Sequence, residues 1–178
     1  MIDLVAGRAA YDVRSPDVAA FTAQLEAALD SAHRLATLML RDRTAAEDAV
    51  QEAALKAWRK YAQLRGGETA FRTWFLSIVA NECRMARRAR WWQVIRMAEP
   101  PEPQIQAEHA AVTSADLREA VLRLEPGDRA ALFCFFYLDL SMPELAQVLG
   151  VSLSAARARV YRAARRLRPE LDPAEDLR

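Results

Sequence analysis

Hydrophobic residues recur along most of this chain at the three- and four-residue spacing of an amphipathic helix. No proline lies between Pro16 and Pro100, so a helical domain can occupy that interval. Within it the pattern predicts a helix over 18–40, and Thr44 with Glu47 has the spacing of a capping box for a second helix, ending near Gln63. A third helix is expected to follow the Gly66-Gly67 pair and to continue through the arginines at 84–90. We assign residues 18–96 to this first domain.

The second half of the chain has a different pattern, which begins after three prolines at 100, 101 and 103. Prolines stop helices and favour extended backbone, so residues 97–115 are predicted to be a flexible linker. Leu117, Val121 and Leu124 then indicate a short helix, and a turn is expected over 125–128. An apolar helix should cover 131–138.

Two further helices complete this second domain, which we place at 116–170. Ser141 and Glu144 form a capping box for a helix over 142–149, Gly150 ends it, and Ser152 can cap a helix over 153–167. A short helix, a tight turn with glycine and a longer basic helix make a helix-turn-helix. The chain is therefore predicted to be all-α, with two small helical domains, an N-terminal extension over 1–17 and a C-terminal tail over 171–178.

The charge distribution points to nucleic acid more clearly than the net charge of +1 does. Five arginines and no acid lie within 84–96, and six arginines and no acid lie within 155–168. Between them, 97–117 carries four acids and no Lys or Arg. Two basic segments separated by an acidic connector are typical of two nucleic-acid contacts on one chain, although a solvated helix face has the same composition.

Little in the sequence supports catalysis. Cys83 and Cys134 are far apart on apolar helices and are predicted to be buried free thiols, and His33 and His109 are the only histidines. We find no phosphate-binding glycine loop or metal-ligand spacing, and predict no enzyme activity, cofactor or metal site. The first ten residues lack the pattern of a secretory leader, and no long apolar run is present, so we expect a cytoplasmic protein without membrane insertion.

The last predicted helix has one face for the core and one for DNA. Leu153, Ala156, Val160 and Leu167 can face the core. The residues placed to meet DNA are Arg157, Ala158, Tyr161, Arg162 and Arg165. Arginine can grip a guanine edge with two hydrogen bonds and can also pair with phosphate.

The first domain interleaves aromatic and basic side chains, a combination that suits unpaired bases. The relevant positions are Lys56, Trp58, Arg59, Lys60, Tyr61, Arg84, Arg87 and Arg88. Phe71, Trp74 and Phe75 are expected in the core. Asn81 has donor and acceptor groups suited to a base edge, but the same amide could cap a helix or satisfy a core group. Asp48 and Glu52 share a helix face that could bind a basic partner, or could simply favour the helix start.

Taken together, these motifs resemble the sigma-70 family, and in particular its extracytoplasmic-function class. Residues 46–52 with Ala57-Trp58 are similar to sigma region 2, as are 71–75 and Ala80-Asn81, whereas 138–168 resemble sigma region 4. The resemblance covers about four fifths of the chain. It implies a factor without catalytic activity that directs RNA polymerase to promoters by recognising minus-10 and minus-35 elements.

The resemblance also implies residue roles and partners. Asp48, Gln51 and Glu52 would bind the β′ clamp helices of core RNA polymerase, whose β flap is the second expected contact. Asn81 with the loop 64–69, including Leu64, would capture a base flipped from the non-template strand. Ser154 stands at the start of the recognition helix, where the family more usually has Gly-Thr-Val at 154–156. An anti-sigma factor is the expected inhibitor.

Two other interpretations remain open on the sequence. One is a stand-alone helix-turn-helix regulator whose first domain dimerises or senses a ligand. The other is a sigma-like decoy that binds an anti-sigma protein and no DNA.

Overall fold

Seven α-helices make up most of the described chain, which comprises residues 17–64, 67–96 and 115–171 of this computed structural model. They are α1 (Val18–Leu40), α2 (Arg43–Lys60), α3 (Gly67–Arg96), α4 (Ala115–Arg123), α5 (Pro126–Leu132), α6 (Met142–Leu149) and α7 (Leu153–Leu171). A 3-10 turn, Tyr61–Gln63, follows α2, and a π-helical turn, Phe133–Tyr137, follows α5. These residues contain no β-strand, so the all-α prediction is confirmed.

The start of α2 differs from the predicted capping box. Asp42 is the N-cap, and its carboxylate accepts a hydrogen bond from the amide of Ala45 at 3.0 Å. Thr44 is already inside the helix, and Glu47 instead pairs with Arg43 at 3.1 Å. The prediction that Thr44 opens the helix is therefore wrong, because the aspartate two residues earlier caps the same free amides.

Helices α1, α2 and α3 pack around an alanine-rich core. Small side chains such as Ala32, Ala53 and Ala57 are fully buried and let the helix axes approach closely. Phe71 and Phe75 are buried beside them and stack with ring centroids 5.8 Å apart. Both phenylalanines were predicted to be core residues, and the structure confirms this.

The second domain follows the predicted helix-turn-helix pattern. Ser141 and Glu144 form the expected capping box, and Gly150 ends α6 with a left-handed backbone at φ 61°. The hydroxyl of Ser152 then accepts a hydrogen bond from the amide of Ala155 at 3.2 Å. The turn predicted over 125–128 is shorter than expected, because Pro126 begins α5 at a position where a proline fits a first helical turn.

The two domains lie directly against each other. Helix α6 packs on α3, and α5 packs on α1. One hydrophobic cluster continues across the junction, from Phe75 and Val79 of α3 to Cys134, Leu145 and Val148. Residues 1–16 of the predicted N-terminal extension, 97–114 of the predicted linker 97–115 and 172–178 of the predicted tail lie outside the described residues.

Candidate functional site

Helix α2 presents an exposed acidic face with a leucine in it. Asp48, Gln51 and Glu52 are all exposed, and Leu55 lies on the same side, at the three- and four-residue spacing that places side chains next to each other. Leu55 is 53% exposed. We call these four residues the α2 face. The sequence analysis did not single out Leu55. Its sequence spacing from Asp48 and Glu52 places it on the same face of a helix, and that spacing would have been a sufficient signal.

Lys56 is used inside the first domain. Its ammonium group lies 2.7 Å from a carboxylate oxygen of Glu82 on α3 and 3.4 Å from Glu52. The hydrogen bond with Glu82 is the main reason why the pKa of Lys56 is raised. Lys56 therefore joins α2 to α3 and differs from a freely solvated cation.

Three residues of the predicted minus-10 set pack against the core. The rings of Trp58 and Tyr61 meet the ring of Phe21 edge-on, at 5.0 and 5.1 Å between centroids. The Tyr61 hydroxyl donates to the amide oxygen of Gln24 at 3.3 Å. Leu64 is partly buried against the same cluster. These three residues therefore contribute to the packing of the first domain. Arg59 and Lys60, which are next to them in the sequence, are exposed.

Asn81 lies on the exposed side of α3, in the middle of the helix. Its neighbours Ala80 and Glu82 are buried, and its amide nitrogen makes one weak contact, 3.7 Å from the sulfur of Met85. Asn81 is therefore neither a helix cap nor a core amide. Its amide can reach an external hydrogen-bonding group.

The arginines that follow Asn81 line an open cavity of about 620 Å³. Its lining residues are Leu40, Arg84, Arg87, Arg88, Arg90 and Trp91. Arg87 and Arg88 are exposed, whereas Arg84 is partly buried and donates to the backbone oxygen of Leu149 at 3.0 Å. Burial, with the nearby charge of Arg159 as a second cause, lowers the pKa of Arg84. The guanidinium of Arg84 is thus held by the second domain.

Helix α7 has a buried stripe and an exposed basic face. Its buried residues are Ala156, Val160, Ala163 and Leu167. Leu153 was predicted to face the core, but it is 40% exposed at the first turn of the helix, and Ala163 takes a core position instead. We call the exposed residues predicted to meet DNA the recognition face: Ser154, Arg157, Ala158, Tyr161, Arg162 and Arg165.

A buried aspartate fixes part of the recognition face. Asp128, at the start of α5, lies 3.3 Å from a guanidinium nitrogen of Arg162 and 3.9 Å from one of Arg166. The side chain of Asp128 is 6% exposed and that of Arg162 is 54% exposed. The ion pair with Asp128 therefore holds the Arg162 side chain in place, while about half of that side chain stays accessible to solvent.

The remaining candidate chemistry is limited. Cys83 and Cys134 are buried free thiols, as predicted, and burial raises the pKa of each to about 12. Among the residues that the structure describes, no group of three His, Cys, Asp or Glu side chains is placed to hold a metal ion. None of the described helices combines the length and apolar character required to span a bilayer.

Two family models match the chain. Residues 25–93 match Sigma-70 region 2, and residues 114–167 match Sigma-70, region 4. The first contains the α2 face and Asn81, and the second contains the recognition face.

Curated relatives are similar over about three quarters of the chain. The sequence is 31% identical to the ECF RNA polymerase sigma factor SigE of Mycolicibacterium smegmatis over 80% of this chain and 58% of that protein. It is 30% identical to the ECF RNA polymerase sigma factor SigM of Mycobacterium tuberculosis over 76% of this chain and 68% of that protein. A third relative, the probable RNA polymerase sigma factor RfaY of Xanthomonas campestris, is 29% identical over 77% of this chain. The chain spans 58% and 36% of the lengths of SigE and RfaY.

Two solved structures share the fold. One is the sigma factor RpoE in complex with the anti-sigma factor NepR from Bartonella quintana, with a TM-score of 0.70, 24% identity and coverage of 86% of this chain and 97% of that chain. The other is CnrH in complex with the cytosolic domain of CnrY, with a TM-score of 0.57, 24% identity and coverage of 86% and 88%.

Proposed function

This chain belongs to the extracytoplasmic-function sigma factors of the sigma-70 family, and we propose that it directs core RNA polymerase to promoters with minus-10 and minus-35 elements. The observation that carries the proposal is the presence, on one chain, of the acidic α2 face and the basic recognition face, each within its own matched sigma region. A protein partner and a nucleic acid can therefore be bound by different surfaces.

The recognition face of α7 is proposed to read the minus-35 element in the major groove. In a helix-turn-helix, the second helix enters the groove and its exposed side chains meet base edges and phosphates. Arg157 and Tyr161 project from the side opposite the buried stripe, and Tyr161 is 75% exposed. Arg162, anchored by Asp128, can meet DNA with little loss of side-chain entropy.

The exposed part of α3 is proposed to bind the minus-10 element. Asn81 offers an amide for the edge of an unpaired base, and Arg87 and Arg88 can follow the phosphate backbone. A flipped base loses stacking and pairing worth a few kcal/mol, which contacts of this kind must offset. Arg59 and Lys60 are the exposed cations of α2 proposed for the same element, and residues 64–69 would complete the set.

The α2 face is proposed to bind the β′ clamp helices of the polymerase. Asp48 and Glu52 suit a basic surface, and Gln51 adds a hydrogen-bonding group. Leu55 would contribute apolar contact at the centre of the same face. The second domain would bind the β flap.

An anti-sigma factor is the proposed regulator. One of the two similar solved structures is the sigma factor RpoE in complex with the anti-sigma factor NepR, and the other is CnrH in complex with the cytosolic domain of CnrY. A partner of this kind would cover the α2 face or the basic surfaces. We propose a cytoplasmic location and no enzymatic role, as is general for this family.

Reconstituted transcription tests the proposed function. Core RNA polymerase from the same cells, mixed with this protein and genomic fragments, should give transcripts that start at a shared pair of upstream motifs. Arg157→Ala with Arg162→Ala should abolish them, whereas Arg43→Ala, which breaks an exposed ion pair within α2, should not. Tight duplex binding without polymerase and no promoter-dependent transcript would instead identify a stand-alone regulator.

A further inference from the structure

A single buried carboxylate lies behind the recognition face. Asp128 belongs to the first turn of α5, and its side chain is 6% exposed. One of its oxygens accepts a hydrogen bond from Nη2 of Arg162 at 3.3 Å, and the other lies 3.9 Å from Nη1 of Arg166. The two arginines are four residues apart on α7, so their side chains are neighbours on the helix. One carboxylate therefore holds two arginines of α7.

The burial of Asp128 makes these contacts lasting ones. An ionised carboxylate that has lost its water is costly unless a cation stays close to it, whereas an exposed ion pair exchanges readily with water. Arg162 and Arg166 are each about half exposed, so they reach the carboxylate from the solvent side. The burial of Asp128 thus fixes one end of each guanidinium and leaves the rest accessible.

The position of Asp128 relative to α7 is fixed by close packing. Helix α5 packs on α7, and a Cβ on Gly127 would lie only 2.9 Å from Nη1 of Arg159. The glycine thus leaves room for an arginine of α7 directly beside Asp128. Because the two helices fit this closely, the carboxylate cannot move away from Arg162 without disturbing the contact at Gly127.

Arg157 provides an internal comparison for Arg162. Both side chains are exposed on the recognition face, but Arg157 forms no ion pair with any residue that the structure describes. A free arginine must be ordered when it binds and loses side-chain entropy, whereas an arginine that is already held loses less. The two arginines therefore differ in how far they are prepared for binding.

A fixed guanidinium matters most for contacts to base edges. Two parallel hydrogen bonds to one base form only within a narrow range of positions, and such a pair is what distinguishes one base from another. Phosphate contacts carry no sequence information and tolerate more variation in geometry. Holding Arg162 in place therefore favours discrimination between bases.

The negative charge of Asp128 has an opposite effect on general DNA binding. Phosphate attraction supplies most sequence-independent affinity, and a carboxylate close to the DNA surface reduces it. A pair of Asp128 with Arg162 alone would be neutral. Arg166 adds a second positive charge to the same carboxylate, so the group of three keeps a net positive charge.

We propose that Asp128 is a positioning residue for promoter recognition, which presets Arg162 for one base edge of the minus-35 element and weakens sequence-independent attraction to DNA. The inference rests on the proposed minus-35 function. It goes beyond that function by assigning sequence discrimination in part to a buried residue behind the DNA-binding face.

Promoter binding by the holoenzyme of core polymerase and the full chain tests this role. The ligands are labelled promoter fragments with the natural upstream element, with each single base-pair substitution in it, and with a scrambled element. Asp128→Asn keeps the size of the side chain and removes its charge. The matched control is Asp30→Asn, which makes the same change in an exposed ion pair with Arg34 on α1.

We expect Asp128→Asn to lower the preference for the natural over the scrambled element about fivefold or more. Its affinity for the scrambled fragment should rise, because one negative charge is removed. The loss of preference should fall on the base pair at which Arg162→Ala also loses it, and Asp128→Asn should cause no further loss in the Arg162→Ala background. Asp30→Asn should match the wild type.

Three outcomes would contradict the proposal in different ways. Full preference in Asp128→Asn would overturn the positioning role and leave the promoter function intact. An equal loss of affinity for both fragments would show a structural role alone, and would overturn it as well. A wild-type holoenzyme that binds natural and scrambled fragments equally would contradict minus-35 recognition itself, and this inference with it.

Side-chain relaxation by NMR decides the matter without a substitution, should Asp128→Asn lose helical content by circular dichroism. The Nε–H group of Arg162 in the free wild-type protein should have a higher order parameter than that of Arg157. Equal mobility of the two side chains would show that Asp128 does not hold Arg162, and would overturn the positioning role.

Discussion

At the scale of single residues, the side chains of the proposed DNA surfaces are held to different degrees. Arg162 is fixed by the buried carboxylate of Asp128, and Arg84 by the carbonyl of Leu149. Asn81 has only a 3.7 Å contact to sulfur. A held arginine is available in one geometry, whereas the amide of Asn81 can turn toward whichever base it meets.

Replacement of Asn81 by alanine should impair promoter opening and leave folding intact. The side chain is exposed, so the free energy of unfolding should change by no more than about 0.5 kcal/mol. Permanganate reactivity of unpaired thymines in the polymerase complex would measure opening, and urea denaturation would measure stability. Gln147→Ala, which removes an exposed amide from α6, is the control. Normal opening by Asn81→Ala would exclude a base contact at this position.

Arg157→Ala should weaken binding of the holoenzyme to promoters at the upstream element. Loss of an arginine contact to a base edge costs about 1–3 kcal/mol, or roughly fivefold to a hundredfold or more in affinity. Fluorescence anisotropy with labelled promoter fragments would measure this, and a fragment with a scrambled upstream element would show which part of the effect is sequence-specific. An equal loss in Arg123→Ala would point to general charge instead of position.

At the scale of helices, the sequence predicted most elements but not all of their ends. Capping residues that act within four positions, such as Ser141 and Gly150, were readable because their chemistry is local. Asp42 was missed as the N-cap of α2 because Thr44 is also a common N-cap residue and has a glutamate at the spacing of a capping box. The burial of Trp58 and Tyr61 depends on Phe21, which is more than thirty residues away, and no local pattern encodes that contact.

Gly150 should be sensitive to substitution for two reasons. Its φ of 61° is costly for residues with a Cβ, by about 1–2 kcal/mol, and a Cβ would also approach Arg84 to 3.3 Å. Gly150→Ala should therefore destabilise the protein in urea denaturation, and Gly150→Asn should do so less, since asparagine adopts this backbone more readily. Equal effects of the two substitutions would place the cost in the contact with Arg84.

The capping box of α6 should make stability depend on pH in acid. The Glu144 carboxylate accepts hydrogen bonds from the hydroxyl and amide of Ser141, at 2.6 and 2.8 Å, and these bonds lower the pKa of Glu144 below its usual 4.5. A lowered pKa stabilises the folded state fully above the unfolded value, and this contribution is lost as the pH falls through the folded value.

Thermal melts of the wild type and Glu144→Gln at several pH values should show this pH-dependent stabilisation by the Glu144 carboxylate. The wild type should have the higher Tm at pH 7, and the difference should shrink as the pH falls below about 4.5. Glu26→Gln, at an exposed position of α1, is the control for a general effect of charge. A difference in Tm that is constant with pH would show that the negative charge of Glu144 does not contribute to the stability of the capping box.

At the scale of the whole molecule, arginines serve both packing and proposed DNA binding. Arg72 and Arg129 have the same side chain as the recognition-face arginines. They instead donate hydrogen bonds to the backbone oxygens of Leu138 and Leu38, across the domain junction. Arg129 is 3% exposed, and burial lowers its pKa to about 10. A sequence reports how many arginines a segment has, but their division between carbonyl groups and phosphate is decided by tertiary packing.

The α2 face lets polymerase assembly be tested apart from the arginine surfaces. Leu55→Ala should weaken binding to core polymerase, because burying the exposed half of the leucine side chain contributes about 1–1.5 kcal/mol, which is roughly fivefold to tenfold in Kd. Folding should be unchanged, since Leu55 is 53% exposed in the free protein. Competition with a labelled wild-type protein for core polymerase would measure it. Val18→Ala is the matched control, because Val18 is an apolar residue of α1 that is 63% exposed. If both variants bind equally well, the exposed leucine is not part of the polymerase interface, and the contact would have to depend on the charges of Asp48 and Glu52.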